Sequence, residues 1–258
     1  MRHDRPRDDR CPRHRAGSRP ARGLWRGSPG AAPARRRRPR LGPRLRRAAR
    51  HRTGRPRVHA HHPGFDGTHR PEPLDSIRAV GALYAQLLAT LDLDRVEVIG
   101  NSIGGWIGAE LVSADPDRVG RLVLVDAVGL DVPEHPLADF FALELAQIAD
   151  YSYADPGPYR IDPARLTPEQ RATMAANRAT LATYGSAMVD PTLRDRLAGL
   201  AVPTLVVWGD ADRIAVPEYG RAYADAIPGA RFVLLERTGH LPQLESPGAL
   251  LEVLDEGA

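Results

Sequence analysis

The stretch GNSIGG, residues 100–105, sets Ser102 two residues after one glycine and two before another. A serine hydroxyl is a weak nucleophile until a base takes its proton. Its setting is what singles this serine out. RVEVIG (95–100) before it reads as a short β-branched strand, and IGGWIGAELVSA (103–114) after it reads as an apolar helix. G-x-S-x-G between a strand and a helix is the pattern of a nucleophile elbow, a strained turn whose glycines let neighbouring backbone approach. The N–H of Ile103, at the start of that helix, can then face a developing oxyanion.

Such a serine needs a base, and the base needs an orienting carboxylate. Of nine histidines, three lie in residues 1–57 and three more, His59, His61 and His62, lie in or beside a first strand; His69 and His135 are in Pro-flanked loops. His240 lies in RTGHLPQLESP, between the last strand and the last helix. Loops at the carboxyl ends of parallel strands are where sites in open α/β sheets gather. VVWGDADRIAVPEY puts Asp210 and Asp212 just past another strand. Asp212 has room to turn back toward the site, whereas Asp210 is expected to make local turn hydrogen bonds. Asp126, at the end of RLVLVDA, is the rival acid. The chain order Ser102, Asp212, His240 is one of the known orders of a Ser–His–acid triad. With a single cysteine, Cys11, no disulfide or Cys-based metal site forms within the chain, and no cofactor or metal is expected.

The elements that must carry these residues alternate. Val58–His61 reads as a strand, followed by the turn HPGFDGT. Ile77, Val80, Leu83, Tyr84, Leu87, Leu88 and Leu91 recur at helical spacing, with Asp75 and Ser76 as candidate caps. Strands are expected at 121–127, 202–209 and 230–236, and helices at 217–227 and 246–256. That grammar predicts a mostly parallel sheet with helices on both faces. About seventy residues between the strands at 121–127 and 202–209 show no strand pattern and read as a helical insertion. Phe140, Phe141, Tyr151 and Tyr153 in it, with Trp106 on the helix after the serine, are candidate pocket residues. No apolar run approaches ~18 residues, so no membrane span is expected. A cytoplasmic protein with a small-molecule substrate is the default reading.

Residues 58–258 resemble the α/β-hydrolase superfamily over their whole length. HPGFDGT is similar to the loop after that fold's fourth strand, VIGNSIGGW to its elbow, LVLVDAVGL to its sixth strand, VPTLVVWGDADRIAVP to its acid loop and PGARFVLLERTGHLPQLESP to its histidine loop. The resemblance implies a helical cap at about 128–197 and hydrolysis through an acyl-enzyme. Ser102 would attack a carbonyl, His240 would take its proton, and Asp212 would hold the imidazole. A serine at the elbow argues against the dehalogenase and epoxide-hydrolase branches. Esterases, lactonases, carbon–carbon bond hydrolases and perhydrolases stay open, as does a non-catalytic protein of the same fold.

Residues 1–57 do not fit this resemblance. They hold 21 Arg against three Asp, while residues 58–258 are acidic and the whole chain has no Lys. They contain no Val, Ile, Phe or Tyr, and no His in the chain is followed by Gly, so the fold's first strands and a His-Gly oxyanion loop are expected to be missing. Four readings apply: a nucleic-acid arm, a transit peptide, a solvated disordered tail, or GC-rich DNA read out of frame. An arm would make the chain an Arg-tailed nucleic-acid-binding protein, but aromatic interleaving is absent and the body is acidic. Composition favours the out-of-frame reading. It predicts that the strand leading to Ser102 lacks a hydrogen-bonded neighbour, and hence a damaged, poorly folding chain.

Overall fold

The computed structural model describes residues 22–25, 57–58 and 62–256 of the chain. Six strands form one parallel sheet: β1 (Arg22–Trp25), β2 (Arg57–Val58), β3 (Val96–Asn101), β4 (Val119–Val125), β7 (Thr204–Gly209) and β8 (Arg231–Leu235), in the order β2-β1-β3-β4-β7-β8. The central strands are apolar runs because helices cover both faces; every residue of β3 and β7 is buried. Helix α1 (Ile77–Thr90) starts at Ser76, whose side chain accepts from Ala79 N, and buries Ile77, Val80, Tyr84 and Leu88. Leu91 falls beyond the helix and is exposed. Helix α2 (Ile103–Ala114) begins directly after Ser102 and buries every residue from Ile103 to Val112, as a helix packed on all sides must.

The expected gap beside β3 is filled. Arg22–Trp25 pairs with it in parallel, from Arg22 opposite Glu97 to Trp25 opposite Gly100, and β2 pairs with β1 in turn. The expectation of missing strands rested on side-chain composition. A ladder is made by backbone N–H and C=O groups, which any non-proline residue supplies, and RGLW contains the segment's one adjacent pair of large apolar residues. The expectations of a tail, an arm or an out-of-frame segment otherwise fall on residues outside those described. His59 and His61 are outside them as well.

The insertion runs from β4 to β7. It holds β5 (Gly129–Leu130), α3 (Leu145–Ser152), α4 (Pro168–Gly185), β6 (Val189–Asp190) and α5 (Leu193–Ala198). β5 and β6 pair in parallel, a two-residue ladder too short to leave a sequence pattern. Helix α4 opens on a capping box, Thr167 with Gln170. The stretch at 136–144, expected to be helical, is not; the helix starts only at Leu145. Helices α6 (Pro217–Asp225), α7 (Pro242–Glu245) and α8 (Pro247–Asp255) complete the chain. Among the described residues no helix is long and apolar enough to cross a membrane.

A buried ion network joins the insertion's end to α2. Glu110, 2 % exposed, accepts from Trp106 Nε1 at 3.1 Å and from Arg196 Nε at 2.9 Å and Nη2 at 2.6 Å. Arg196 also pairs with Asp190 of β6. Breaking a buried pair from one side leaves an uncompensated charge, which costs about 3–5 kcal/mol, while replacing both partners is far milder. Arg196→Met is therefore expected to lose about that much stability in urea unfolding, and Glu110→Gln/Arg196→Met to recover most of it. A single-variant loss below ~1 kcal/mol would show that the network does not hold the insertion down.

Candidate active site

Ser102 sits at φ 54 and ψ −122, a left-handed conformation that costs a non-glycine residue of order 1–3 kcal/mol. The surroundings over-determine it. Its N–H donates to Val125 O at 2.9 Å, and its carbonyl accepts from Gly105 N, Trp106 N and Val128 N. The turn is so tight that a Cβ on Gly100 would stand 2.1 Å from Gly104 O, so a side chain there has no place. Ile103 is the first residue of α2; its N–H is one of the helix's N-terminal donors with no intrahelical acceptor.

His240 bridges the other two members. Its Nε2 lies 2.8 Å from Ser102 Oγ and its Nδ1 2.7 Å from Asp212 Oδ2. All three are buried: Ser102 8 %, Asp212 2 % and His240 5 % exposed. Asp212 Oδ1 accepts from Ile214 N at 2.8 Å and Ala215 N at 3.1 Å, so the carboxylate is fixed through both oxygens. The acid loop is closed from behind by Trp208, whose Nε1 donates to Ala215 O at 2.8 Å. Asp210, expected to make a local turn bond, instead accepts from Thr238 N and ties the acid loop to the histidine loop.

Asp126, the rival acid, does not hold His240. Its Oδ1 accepts from Gly209 N at 2.8 Å, capping the end of β7, and its Oδ2 is buried with no hydrogen-bond donor. Burial, and then the Asp212 charge beside it, push its carboxyl well above the ordinary value of 3.8. A proton on Asp126 removes the repulsion between the two carboxylates. Asp126, Asp212 and His240 offer atoms within 4.8 Å of one another, the geometry of a metal-ligand group. Hydrogen bonds to Ser102 and Asp212 already use both imidazole nitrogens.

Asn101 was not singled out in the sequence. Its Nδ2 donates to Val125 O at 3.1 Å and to His240 O at 2.9 Å, and its Oδ1 accepts from Gln243 Nε2. It joins the elbow to the histidine loop; only the fold brings those segments together.

The insertion meets the same loops. A helix leaves its last carbonyls without intrahelical donors, and at the end of α3 the loops that carry Asp212 and His240 supply them. Arg213 Nη1 donates to Asp150 O at 2.8 Å, Arg213 N to Tyr151 O at 3.1 Å, and His240 N to Ser152 O at 2.8 Å. Gly239 lies so close that a Cβ there would be 2.4 Å from Ser152 O and 2.6 Å from Tyr153 Cα. Helix α4 grips the loop after β2: Thr180 Oγ1 donates to Gly64 O, Tyr184 OH to Pro63 O, and Asn177 pairs with Asp66.

Between the insertion and the triad lies a cavity that opens onto Ser102 and His240. Of the residues expected in a pocket, Phe140 and Tyr153 line it. Trp106 does not: it is buried in the core with its indole N–H on Glu110. Phe141 lines a neighbouring cavity, and Tyr151 contributes its carbonyl to Arg213. The aliphatic wall, with Leu145, Ile148, Leu181 and Met188, was missed, because apolar residues on an insertion helix look the same whether they face a core or a cavity.

The Alpha/beta hydrolase family model matches residues 23–253, and the chain belongs to that family. The match begins in β1, inside the Arg-rich segment that the sequence reading had set apart. Among curated relatives, the 2-hydroxy-6-oxononadienedioate/2-hydroxy-6-oxononatrienedioate hydrolase of Cupriavidus pinatubonensis is 28% identical over 192 residues, covering 64% of this chain and 62% of that one. Lipase 1 of Psychrobacter immobilis is 28% identical over 171 residues, covering 59% of this chain and 52% of that one. The chain thus spans about three fifths or less of the length of these relatives. Among solved structures, the 2-hydroxy-6-oxo-6-phenylhexa-2,4-dienoate hydrolase from Rhodococcus sp. superposes with a TM-score of 0.67 at 25% identity, covering 92% of this chain and 89% of that one. The esterase from Exiguobacterium antarcticum, at 18% identity and a TM-score of 0.70 over 93% of this chain and 92% of that one, shares the fold.

Two outcomes follow from this geometry. Gly239→Ala must push the histidine loop off α3, and misplacement of this kind is expected to lower kcat/KM on a p-nitrophenyl ester by about 10- to 100-fold; an effect within about twofold would show that the contact does not constrain the loop. Asp126→Asn keeps an uncharged side chain beside Asp212 and the acceptor for Gly209. In the wild-type chain the unfolded state loses the Asp126 proton above the ordinary carboxylate range while the folded state keeps it, so stability falls as pH rises through that window. The Asn variant lacks this dependence, so its melting temperature relative to wild type should rise between about pH 4.5 and pH 8. A difference that stays flat or falls would mean that Asp126 is ionised in the folded protein.

Proposed function

We propose that the chain is a serine hydrolase that cleaves an ester or a related carbonyl substrate through an acyl-enzyme. The observation that carries this reading is the unbroken relay from Ser102 Oγ through His240 to Asp212, at 2.8 and 2.7 Å. His240 Nε2 takes the serine proton as Oγ bonds to the carbonyl carbon. Asp212, accepting from Nδ1–H, keeps Nε2 free as the base and stabilises the imidazolium that forms. The Ile103 N–H is one donor to the oxyanion. The leaving group departs with the proton held by His240. A water, deprotonated by the same imidazole, then releases the acid and restores Ser102. The insertion acts as a cap that shapes the substrate cavity.

The names of the relatives, lipase and esterase on one side and dienoate or dienedioate hydrolases on the other, support hydrolysis at a carbonyl of a small molecule. A fluorophosphonate is expected to add to Ser102, with mass spectrometry locating the adduct, and Ser102→Ala to abolish it. Asp212→Asn should lower kcat by about 10⁴-fold, because it favours the wrong imidazole tautomer. Labelling at another residue, or an Asp212→Asn variant of near wild-type rate, would refute the assignment.

A further inference from the structure

The cavity beside Ser102 is walled by carbon. Apart from Ser102 and His240, its polar side chains are Ser152, Tyr153 and Tyr159; every other lining residue is Ala, Val, Leu, Ile, Met or Phe. Tyr159 OH is already committed to Leu244 O. Burial pushes the Tyr153 phenol up, so it stays a neutral group. No arginine or carboxylate is in the lining among the described residues.

The arginines around the insertion are engaged elsewhere. Arg178 donates to the carbonyls of Phe140 and Phe141, Arg213 to Asp150 O, and Arg160 pairs with the Asp150 carboxylate. The charge directly behind His240 is the Asp212 carboxylate, with Asp126 next to it. A carboxylate entering the cavity would therefore give up water, meet no cation among the described residues, and approach a buried acid of its own sign.

Helix α3 shows the same preference in its pattern. Leu145, Ile148, Ala149 and Ser152 all line the cavity; they fall at i, i+3, i+4 and i+7, one face of a helix. The opposite face carries Gln147 and Asp150. The apolar stripe of an amphipathic helix normally lies on a core. Here it faces empty space beside the nucleophile.

We propose that this cavity is the acyl site and that it selects an uncharged, apolar acyl group, excluding substrates whose acyl chain ends in a carboxylate. This rests on the serine-hydrolase reading above. Two substrates that share a leaving group isolate the acyl end: p-nitrophenyl octanoate and the mono-p-nitrophenyl ester of suberic acid, which has the same chain length with a terminal carboxylate. The neutral ester is expected to have a kcat/KM at least about 100-fold higher at neutral pH. Ile148→Arg, which sets a cation on the half-buried wall of α3, should narrow that ratio by about tenfold or more.

Equal turnover, a preference for the suberate ester, or a ratio unmoved by Ile148→Arg overturns the proposal. Hydrolysis of neither ester by a protein whose Ser102 takes a fluorophosphonate overturns the substrate class and leaves the nucleophile in place. Failure of the fluorophosphonate to label Ser102 overturns the reading beneath it.

Discussion

The backbone of Ser102 is held where side-chain-bearing residues rarely rest, at φ 54 and ψ −122, and the rest of the site depends on that one constraint. The strain is sustained by the β3–β4 ladder, which runs from Val96 to Asn101 against Val119 to Val125, and by four backbone hydrogen bonds on Ser102 itself. Because β3 stops at Asn101 and α2 starts at Ile103, the serine is the whole connection between strand and helix. Its hydroxyl must then stand at the carboxyl edge of the sheet, where the loops after β7 and β8 deliver Asp212 and His240.

Those loops are not independent of the insertion. The last carbonyls of α3 take their donors from Arg213 and His240, so the helix end and the catalytic loops satisfy one another's backbone groups. Moving α3 would leave the buried His240 N–H and the buried Ser152 carbonyl unpaired, each at a cost of about 1–3 kcal/mol. The insertion is therefore part of the framework that holds the triad as well as one wall of its cavity. Asp126 contributes from beneath: it caps the end of β7 through Gly209 N and sits beside Asp212 in a place where two full negative charges would repel.

The start of the chain shows how far composition can mislead about a strand. An Arg- and Pro-rich segment without β-branched residues argues against buried parallel strands, yet Arg22–Trp25 lies between β2 and β3 in register with Glu97 to Gly100. What β3 requires from that neighbour is a row of backbone donors and acceptors. A four-residue stretch supplies it whatever the average of the segment around it.

The sequence by itself singled out Ser102 and His240 and the chain order in which Ser102, Asp212 and His240 occur, because an elbow needs small residues at fixed offsets and a strand-to-helix switch, and both are local. It determined the main helices and the central strands for the same reason: periodicity is written residue by residue. It could rank Asp212 over Asp126 but not decide between them, since both stand at strand ends. The tertiary structure sets Asp212 against His240, through a 2.7 Å contact between residues 28 apart in the chain. Asn101's bridge to the histidine loop, the docking of α3 onto Arg213 and His240, and the direction in which Leu145 and Ile148 face were likewise settled only in three dimensions. Each depends on which distant backbone arrives beside a residue, and no local pattern carries that information.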